Sequence, residues 1–311
     1  MAISVSIAID SACDLPAAVI EENGVEVLPI SVKSADNVFV DVRDPDLTTT
    51  FYDNDMAAKG FSAETRPYTV AEMTERIEQE LILKADEVLV MTINSARSEI
   101  YKNIQEAVFI STPKFKSIRE ASGKSSPFKI HVFDTGTMFT GQAILVHEAV
   151  RMIKEENKRP HEIIKKLEAI KDRVFAYVLP RDLYHLKNNA SKKGDKSVGW
   201  FSYQVGTMLN VKPVIQCYKG ETSPVDKVMG YEKGLELLFS KAKDAVHRGL
   251  LIKVISMSYA GNLSEIKAMK PFIEFESFLK EQGLPCMLAV MSTTAAINVG
   301  PGAFSLAYAE Y

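Results

Sequence analysis

The sequence predicts a two-domain α/β protein, and three observations lead to that prediction. First, short runs of β-branched and other apolar residues alternate with longer segments of helical periodicity, an order typical of βαβ units and parallel sheets. Second, the chain has 311 residues, and a single core stops growing near about 250–300 residues. Third, 46% of the residues are apolar and 25% are charged, values that indicate a globular chain.

The first half of the chain predicts a domain with a mainly parallel sheet. Its predicted strands are VSIAI from Val5, VEVLPISV from Val25, EVLVMTI from Glu87 and KIHVF from Lys129. Helices are predicted over Val70–Ile82 and Gly141–Ile153, because apolar residues recur there at helical spacing.

The second half predicts a domain with a mixed sheet, entered through a helix that begins near Pro160. Its predicted strands are RVFAYVL from Arg173, VKPVIQCY from Val211, LLIKVISM from Leu250 and PCMLAVM from Pro285. Lys219–Glu221 predicts a tight turn between two antiparallel strands, and helices are predicted over Tyr231–Val246 and Leu263–Glu281. We place the two domains at residues 1–165 and 166–311.

Charge and cysteine content exclude several classes of function. The net charge of −3 and the pI near 6.0 offer no general attraction for nucleic acid or anionic membranes. The cysteines Cys13, Cys217 and Cys286 are too few and too far apart for a disulfide framework or a zinc site.

The amino terminus lacks a basic region before its apolar residues, and no apolar run approaches about 18 residues. These features predict a soluble cytoplasmic protein without stable membrane insertion.

Two stretches are rich in basic residues, Pro113–Lys129 and Leu186–Lys196. Neither combines a sustained basic face with the aromatic platforms of single-strand binding. We interpret both as solvated loops, and the alternative is a surface on which another protein docks.

Acidic and hydroxyl residues follow two predicted strands, at the sheet edge where open α/β folds bind ligands. Ser11 and Asp14 come after the first strand and are interpreted as caps of the next helix, which Pro16 would open. The roles of Asp10 and Asp134 stay open.

The chain lacks the sequence signatures of nucleophilic, phosphate-binding and metal-dependent enzymes. Its five histidines have no metal-ligand spacing and are interpreted as structural. Hydroxyls predicted to lie in loops after strands, at Thr65, Ser95 and Ser98, suit an anionic group near a helix start, and helix capping is the alternative. The stretch INVGPGAFSLAY, from Ile297, predicts a shaped turn that serves either a ligand site or the entry to a strand.

An ordered series of motifs resembles the DegV family from Ile3 to Tyr308. The motifs are DSACDLP, VLPISV, ETRPYT, INSARSEIY, VFDTGT, LNVKPVIQCYKGE and NVGPGA. The resemblance implies a bacterial protein that holds a long-chain fatty acid in a tunnel between two domains. It implies no cofactor and no enzymatic activity of the chain itself. Some members present the acid to a separate fatty-acid kinase, so a kinase is an implied partner.

The resemblance also implies a set of ligand-binding residues. Thr65, Ser95 and Ser98 match hydroxyl positions that lie near the carboxylate, and Tyr101 matches as well. A Gly-Pro-Gly turn shapes the tunnel mouth in that family, and it corresponds here to Gly300 and Gly302. The family's histidine two positions before the turn corresponds here to Asn298.

Several departures from the family pattern mark this chain as a divergent member. Arg66 stands where glutamine is usual and Arg97 where leucine is usual. Each arginine either pairs with the carboxylate, or is exposed and faces solvent or pairs with Glu64 or Glu99. Ala96 and Glu99 replace glycines. Asn298 can donate a hydrogen bond but cannot carry a proton as histidine does, which predicts fatty-acid binding with poor or altered acyl-phosphate formation.

Two other classes of function stay open on the sequence. The first is an enzyme that processes a lipid or an acyl phosphate, with Thr65, Ser95 or Ser98 as nucleophile. The second is a regulatory interaction module that has kept the fold and binds no ligand.

Overall fold

The structure, a computed structural model, describes residues 3–34, 38–56, 63–186 and 210–311. The strands are β1 (Val5–Asp10), β2 (Glu26–Leu28), β3 (Ile30–Ser34), β4 (Val38–Asp41), β5 (Ala63–Arg66), β6 (Glu87–Thr92), β7 (Lys129–Asp134), β8 (Val174–Leu179), β9 (Val211–Tyr218), β10 (Glu221–Met229), β11 (Ile255–Tyr259), β12 (Cys286–Val290) and β13 (Phe304–Ala309).

The helices alternate with these strands through most of the chain. They are α1 (Ala17–Glu22), α2 (Pro45–Asp53), α3 (Val70–Arg76), α4 (Ile82–Lys84), α5 (Ile100–Ser111), α6 (Phe115–Ala121), α7 (Thr140–Glu156), α8 (Pro160–Ile170), α9 (Tyr231–Arg248), α10 (Leu263–Lys267), α11 (Lys270–Glu281) and α12 (Thr293–Val299). A π-helical turn, Ile77–Leu81, joins α3 to α4.

The first sheet is parallel, with strand order β2-β1-β6-β7, which confirms the prediction for the first half of the chain. All six residues of β6 are buried. A parallel strand with both faces covered favours apolar residues on both faces, and this explains the continuous apolar run VLVM within EVLVMT.

The sheet of the second half has the order β10-β9-β8-β13-β11-β12 and is mixed, as predicted. β11 and β12 pair in parallel, and the other pairs are antiparallel. The predicted turn joins β9 to β10 through Lys219 and Gly220, both at positive φ. Positive φ at both central residues is what a two-residue type I′ hairpin requires.

A third, antiparallel sheet of order β4-β3-β5 is absent from the sequence prediction. The sequence predicts one strand over VEVLPISV, but the chain divides at Pro29, so that β2 joins the parallel sheet and β3 the small sheet. Proline has no N–H to donate to a ladder, which favours a break at that point. Thr65 consequently lies within strand β5, and the prediction that it lies in a loop is wrong.

Helix α7 joins the two larger sheets. Ten of its 17 residues are buried, and it packs against β6 of the parallel sheet and against β8, β11 and β13 of the mixed sheet. Gly141 allows α7 to lie close to β8, because a Cβ at position 141 would be only 2.9 Å from the Cβ of Ala176 on that strand. The hydroxyls of Thr140 and Ser305 are hydrogen-bonded at 2.7 Å between the helix and β13.

Two predicted elements of the second half are shorter than expected. The strand predicted from Leu250 begins at Ile255. The helix predicted over Leu263–Glu281 is divided into α10 and α11 at Met269, whose backbone is extended. Pro271 follows within the first turn of α11, a position that proline tolerates.

The interpretation of Pro113–Lys129 as a solvated loop is wrong for its first part, which contains α6. Arg119 on this helix is buried and pairs with Asp86 at 2.6 Å. Its guanidinium also donates to the carbonyl oxygens of Ile82 and Ala85. Arg119 therefore stabilises the fold. Composition alone could not distinguish this buried arginine from a solvent-exposed one. The other basic stretch lies, beyond Leu186, outside the described residues.

Candidate functional site

Asp10, at the end of β1, organises the loops that follow two strands. Its carboxylate is buried and accepts hydrogen bonds from the amides of Ala12 at 3.1 Å and Ile93 at 2.6 Å, and from Gln142 Nε2 at 3.2 Å. Burial raises the pKa of this carboxyl to about 6, against the lowering effect of these hydrogen bonds. Asp10, whose role the sequence did not decide, thus holds the loop that carries Ser95 and Ser98.

Asn94 fixes the shape of that loop, and sequence reasoning missed it. Its Nδ2 donates to Gly220 O at 2.7 Å, and its Oδ1 accepts from the amide of Ala96 at 2.9 Å. Ala96 and Glu99 both have negative φ, so the turn forms without the glycines that the family pattern has there. An Asn two residues after the end of a buried strand is the signal that could have indicated this turn.

The two serines of the loop have different surroundings. Ser95 is exposed, and its amide donates to Asp134 Oδ1 at 3.1 Å. Ser98 is half-buried, and its Oγ accepts from the amide of Ile100 at the start of α5, at 3.3 Å. Helix α5 has Glu99 at its N-cap and no side-chain cap, so the bond from Ile100 is a local turn contact and not helix capping. The hydroxyl hydrogen of Ser98 can still be donated to another group.

Thr65 and Asn298 are carried by elements that pack together, since α12 lies against β3 and β5. Thr65 is half-buried, and its strand position pairs with Val32. Asn298 is half-buried near the end of α12 and donates from Nδ2 to Thr294 O at 2.8 Å. The amide group of Asn298 retains a second N–H and its oxygen for other partners.

Gly300 and Gly302 make room for another segment of the chain. Both have positive φ, +92° and +70°. A Cβ at Gly300 would lie 2.8 Å from Cδ2 of His185, and a Cβ at Gly302 would lie 2.6 Å from Cδ of Arg181. The turn is therefore shaped both by its backbone angles and by the side chains that follow β8.

Asp14 does not cap α1, so that interpretation is wrong. Helix α1 begins after Pro16 without a side-chain cap. The carboxylate of Asp14 instead accepts from Ser258 Oγ at 2.6 Å and from the amide of Ser292 at 2.9 Å. It also lies 3.8 Å from Arg43 Nη1. Burial raises the pKa of Asp14, although the charge of Arg43 lowers it.

Arg43 is the central cation of this buried cluster, with only 7% of its surface exposed. Its Nη2 donates to the carbonyl oxygens of Leu15 and Val290, at 3.2 and 3.1 Å. Its backbone has φ of +61°, a conformation that non-glycine residues rarely adopt. The guanidinium thus connects the loop after β1 to the end of β12.

Asp41 completes the connection to α12. Its Oδ2 accepts from both the amide and the hydroxyl of Thr294, at 2.9 and 2.8 Å. Ser11 does not cap a helix either, because its Oγ accepts from the amide of Ile30 at 3.0 Å and lies 3.4 Å from the Thr294 hydroxyl. This polar cluster fixes the first turn of the helix that carries Asn298.

Arg66 is engaged by a carboxylate of its own chain. Its two terminal nitrogens donate to the two oxygens of Glu72, at 2.9 and 2.8 Å, and this pair is about half exposed. Glu72 also forms a capping box with Thr69 at the start of α3. Arg97 is half-buried in the loop after β6, where its charge lowers the pKa of the Cys217 thiol against the dominant effect of burial.

One apolar cluster extends from the small sheet into the second half of the chain. Its buried members include Val32, Ala63 and Ile100 from the first half and Ile215 and Val299 from the second. The cluster therefore borders Thr65, the start of α5 and α12. A separate open groove of about 610 Å³ between α3 and α5 is lined by Val70, Ala71, Thr74, Glu75, Glu78, Gln79 and Ile110, none of them a predicted site residue.

Within the described ranges, no group of three or more potential metal ligands comes together. Across the same part of the chain, no helix is both long enough and apolar enough to cross a membrane.

The fold and the site define an α/β protein whose two larger sheets meet beside a cluster of apolar side chains and loop hydroxyls. The model of the family described as "Uncharacterised protein, DegV family" matches residues 4–311. A DegV domain-containing protein of Xanthomonas campestris is 37% identical over 305 residues, covering 98% of this chain and 97% of that protein. The chain belongs to the DegV family.

Two solved structures illustrate the shared fold. A DegV lipid-binding protein from Thermotoga maritima has a TM-score of 0.78 at 21% identity, covering 99% of this chain and 98% of that one. A stearic acid-binding protein from Eubacterium ventriosum has a TM-score of 0.77 at 19% identity, covering 98% of both chains.

The raised pKa of Asp10 predicts a measurable pH dependence. Because the folded protein holds a proton at Asp10 that the unfolded chain has released, this group's contribution to the free energy of unfolding falls as pH rises from about 4 to about 6. The Asp10→Asn variant lacks the ionisation, so its stability relative to wild type should improve by about 2 kcal/mol between pH 4 and pH 7.

Urea unfolding at both pH values would measure the difference. The matched control is Asp46→Asn, at an exposed carboxyl on α2. A stability difference between Asp10→Asn and wild type that does not change with pH would contradict the prediction.

Proposed function

We propose that this protein binds a long-chain fatty acid, with the carboxylate held by the hydroxyls of Thr65, Ser95 and Ser98. The observation that carries the proposal is the apolar cluster shared by both halves of the chain, which borders the elements bearing these hydroxyls. Relatives of the same fold are a lipid-binding protein and a stearic acid-binding protein.

The acyl chain and the carboxylate of a fatty acid require different contacts from the protein. Burying each methylene of an acyl chain contributes about 0.8 kcal/mol, from which ordering costs are subtracted. A carboxylate next to apolar surface costs several kcal/mol unless hydrogen-bond donors satisfy it. A few hydroxyls and amides therefore orient the ligand, and the proposal requires no metal ion or nucleotide.

The geometry favours binding over catalysis by these hydroxyls. In the described part of the chain, no imidazole or carboxylate is hydrogen-bonded to the hydroxyl of Thr65, Ser95 or Ser98. A serine or threonine nucleophile needs such a base nearby. We therefore place any chemistry on the fatty acid in a separate protein.

Denaturing mass spectrometry of the protein purified from cells tests the proposed function. We expect about one fatty-acid molecule per chain, and its mass would give the length and unsaturation of the acyl chain. A protein that carries no lipid and takes up none on incubation with fatty acids would support the ligand-free interaction module instead.

Replacing the hydroxyls tests the assignment of the site. Thr65→Val keeps the side-chain shape, and it should weaken fatty-acid binding by about 1–3 kcal/mol because the carboxylate loses a donor. The Ser95→Ala, Ser98→Ala double variant should have a similar effect.

Isothermal titration with one fatty acid would measure these affinities. Thr49→Val on α2 is a matched control, since the Thr49 hydroxyl bonds the carbonyl oxygen of Pro45 in its own helix. Unchanged affinity in both site variants would overturn the assignment.

We further propose that the bound acid is presented to a fatty-acid kinase, and that Asn298 limits acyl-phosphate formation. Asn298 can donate a hydrogen bond but carries no proton near neutral pH. With a fatty-acid kinase from a related system, Asn298→His should raise the acyl-phosphate yield and leave fatty-acid affinity nearly unchanged. High turnover by the wild-type protein would contradict the proposed role of Asn298.

A further inference from the structure

The Gly-Pro-Gly turn holds a histidine that sequence reasoning treated as structural. Built at Gly300, a Cβ would lie 2.8 Å from Cδ2, 3.4 Å from Cγ and 3.6 Å from Nε2 of His185. These distances place the imidazole ring directly over the glycine. Any larger residue at position 300 would displace the ring, so Gly300 and His185 are fitted to each other.

His185 differs in burial from the other histidines of the chain. It is 5% exposed, whereas His131 and His147 are half-buried and His161 and His247 are exposed. A histidine has a polar nitrogen on each side of its ring, so a merely space-filling role against a glycine would be served better by an apolar side chain.

The surroundings of His185 connect it to the proposed ligand site. On either side of it, Leu183 and Leu186 pack against the apolar cluster that both halves of the chain share. The turn it contacts follows α12 directly, and α12 carries Asn298 and packs against β5. The imidazole is therefore placed where the apolar cluster meets the end of the helix that bears a predicted site residue.

We propose that His185 is a ligand-binding residue, whose imidazole donates a hydrogen bond to the carboxylate of the bound fatty acid. This inference rests on the proposed function and adds a residue to the same site. The side chains assigned so far, hydroxyls and one amide, are neutral donors. An imidazole N–H gives a further directed donor, and hydrogen bonds to an ionised carboxylate are stronger than those between neutral groups.

The role is binding and not the supply of a proton for chemistry. No bond of the ligand forms or breaks in the proposed interaction. It is therefore separate from the proposal for Asn298, which concerns transfer of the acid to a kinase.

Discrimination between a fatty acid and its methyl ester provides the first test. Both ligands bury the same acyl chain, but the ester lacks the ionised oxygens to which His185 would donate. His185→Phe retains a planar ring of similar size. It should reduce the preference for the free acid by about tenfold and leave ester affinity within about twofold of wild type.

The matched control is His147→Phe, at a half-buried position on α7. His185→Gln, which retains a donor, should recover part of the preference. A purely structural role for His185 would instead lower the affinities for acid and ester together.

Nuclear magnetic resonance of the wild-type protein, labelled at histidine, keeps the test independent of variant folding. The His185 ring signals should shift on addition of palmitic acid and much less on addition of methyl palmitate. Equal shifts with both ligands, or an unchanged acid preference in His185→Phe, would overturn the proposal.

The outcomes also separate this inference from the proposed function. If the wild-type protein binds fatty acid and Thr65→Val weakens it while His185 variants keep the acid preference, only the role of His185 is wrong. If the wild-type protein binds neither ligand, both proposals fail.

Discussion

The pairing of a buried guanidinium with buried carboxylates is the constraint on which the candidate site depends. Removing charges from water costs several kcal/mol for each ion, so buried Arg43 and Asp14 depend on hydrogen-bond and charge partners within the protein. Arg43 Nη2 donates to carbonyl oxygens from two distant segments, and Asp14 accepts from Ser258 and Ser292. Displacing any of these segments would remove a partner from a buried charge.

The cost of burial also explains why the cluster fixes the position of α12. Asp41 accepts from the amide and hydroxyl of Thr294, whose carbonyl oxygen accepts from Asn298 one turn later. Apolar packing alone would tolerate some sliding of this helix against β3 and β5. Directional hydrogen bonds at the first turn of α12 prevent this sliding. A site that holds a carboxylate by hydrogen bonds requires such fixed positions.

Residues that differ from the family pattern have specific contacts with other residues of this chain. The loop with Ser95 and Ser98 lacks the expected glycines, and Asn94 holds its turn through both side-chain polar atoms. Arg66 replaces a neutral residue, and its charge is met by Glu72 on the same surface. The turn after Asn298 receives an imidazole from His185, which lies far away in the sequence. Asn94 belongs to the same motif as the missing glycines, whereas Glu72 and His185 lie outside the motifs that they contact.

The sequence by itself determined the elements whose pattern is local. The continuous apolar run of β6 predicts a buried parallel strand, and Lys219–Gly220 between β-rich runs predicts the hairpin that the structure contains. The hydroxyls of the loop after β6 were also recognisable, because capping and turn chemistry depend on near neighbours. The order of the motifs was sufficient to identify the family.

Only the tertiary structure decided which distant residues meet. It divided VEVLPISV between two sheets, buried Arg119 beside Asp86, and directed Asp14 to Ser258 and Ser292 instead of a helix start. A charged or polar residue looks the same in sequence whether water or a buried partner satisfies it. The difference lies in the desolvation cost and in partners that can be more than 200 positions away, and neither is written in the local pattern.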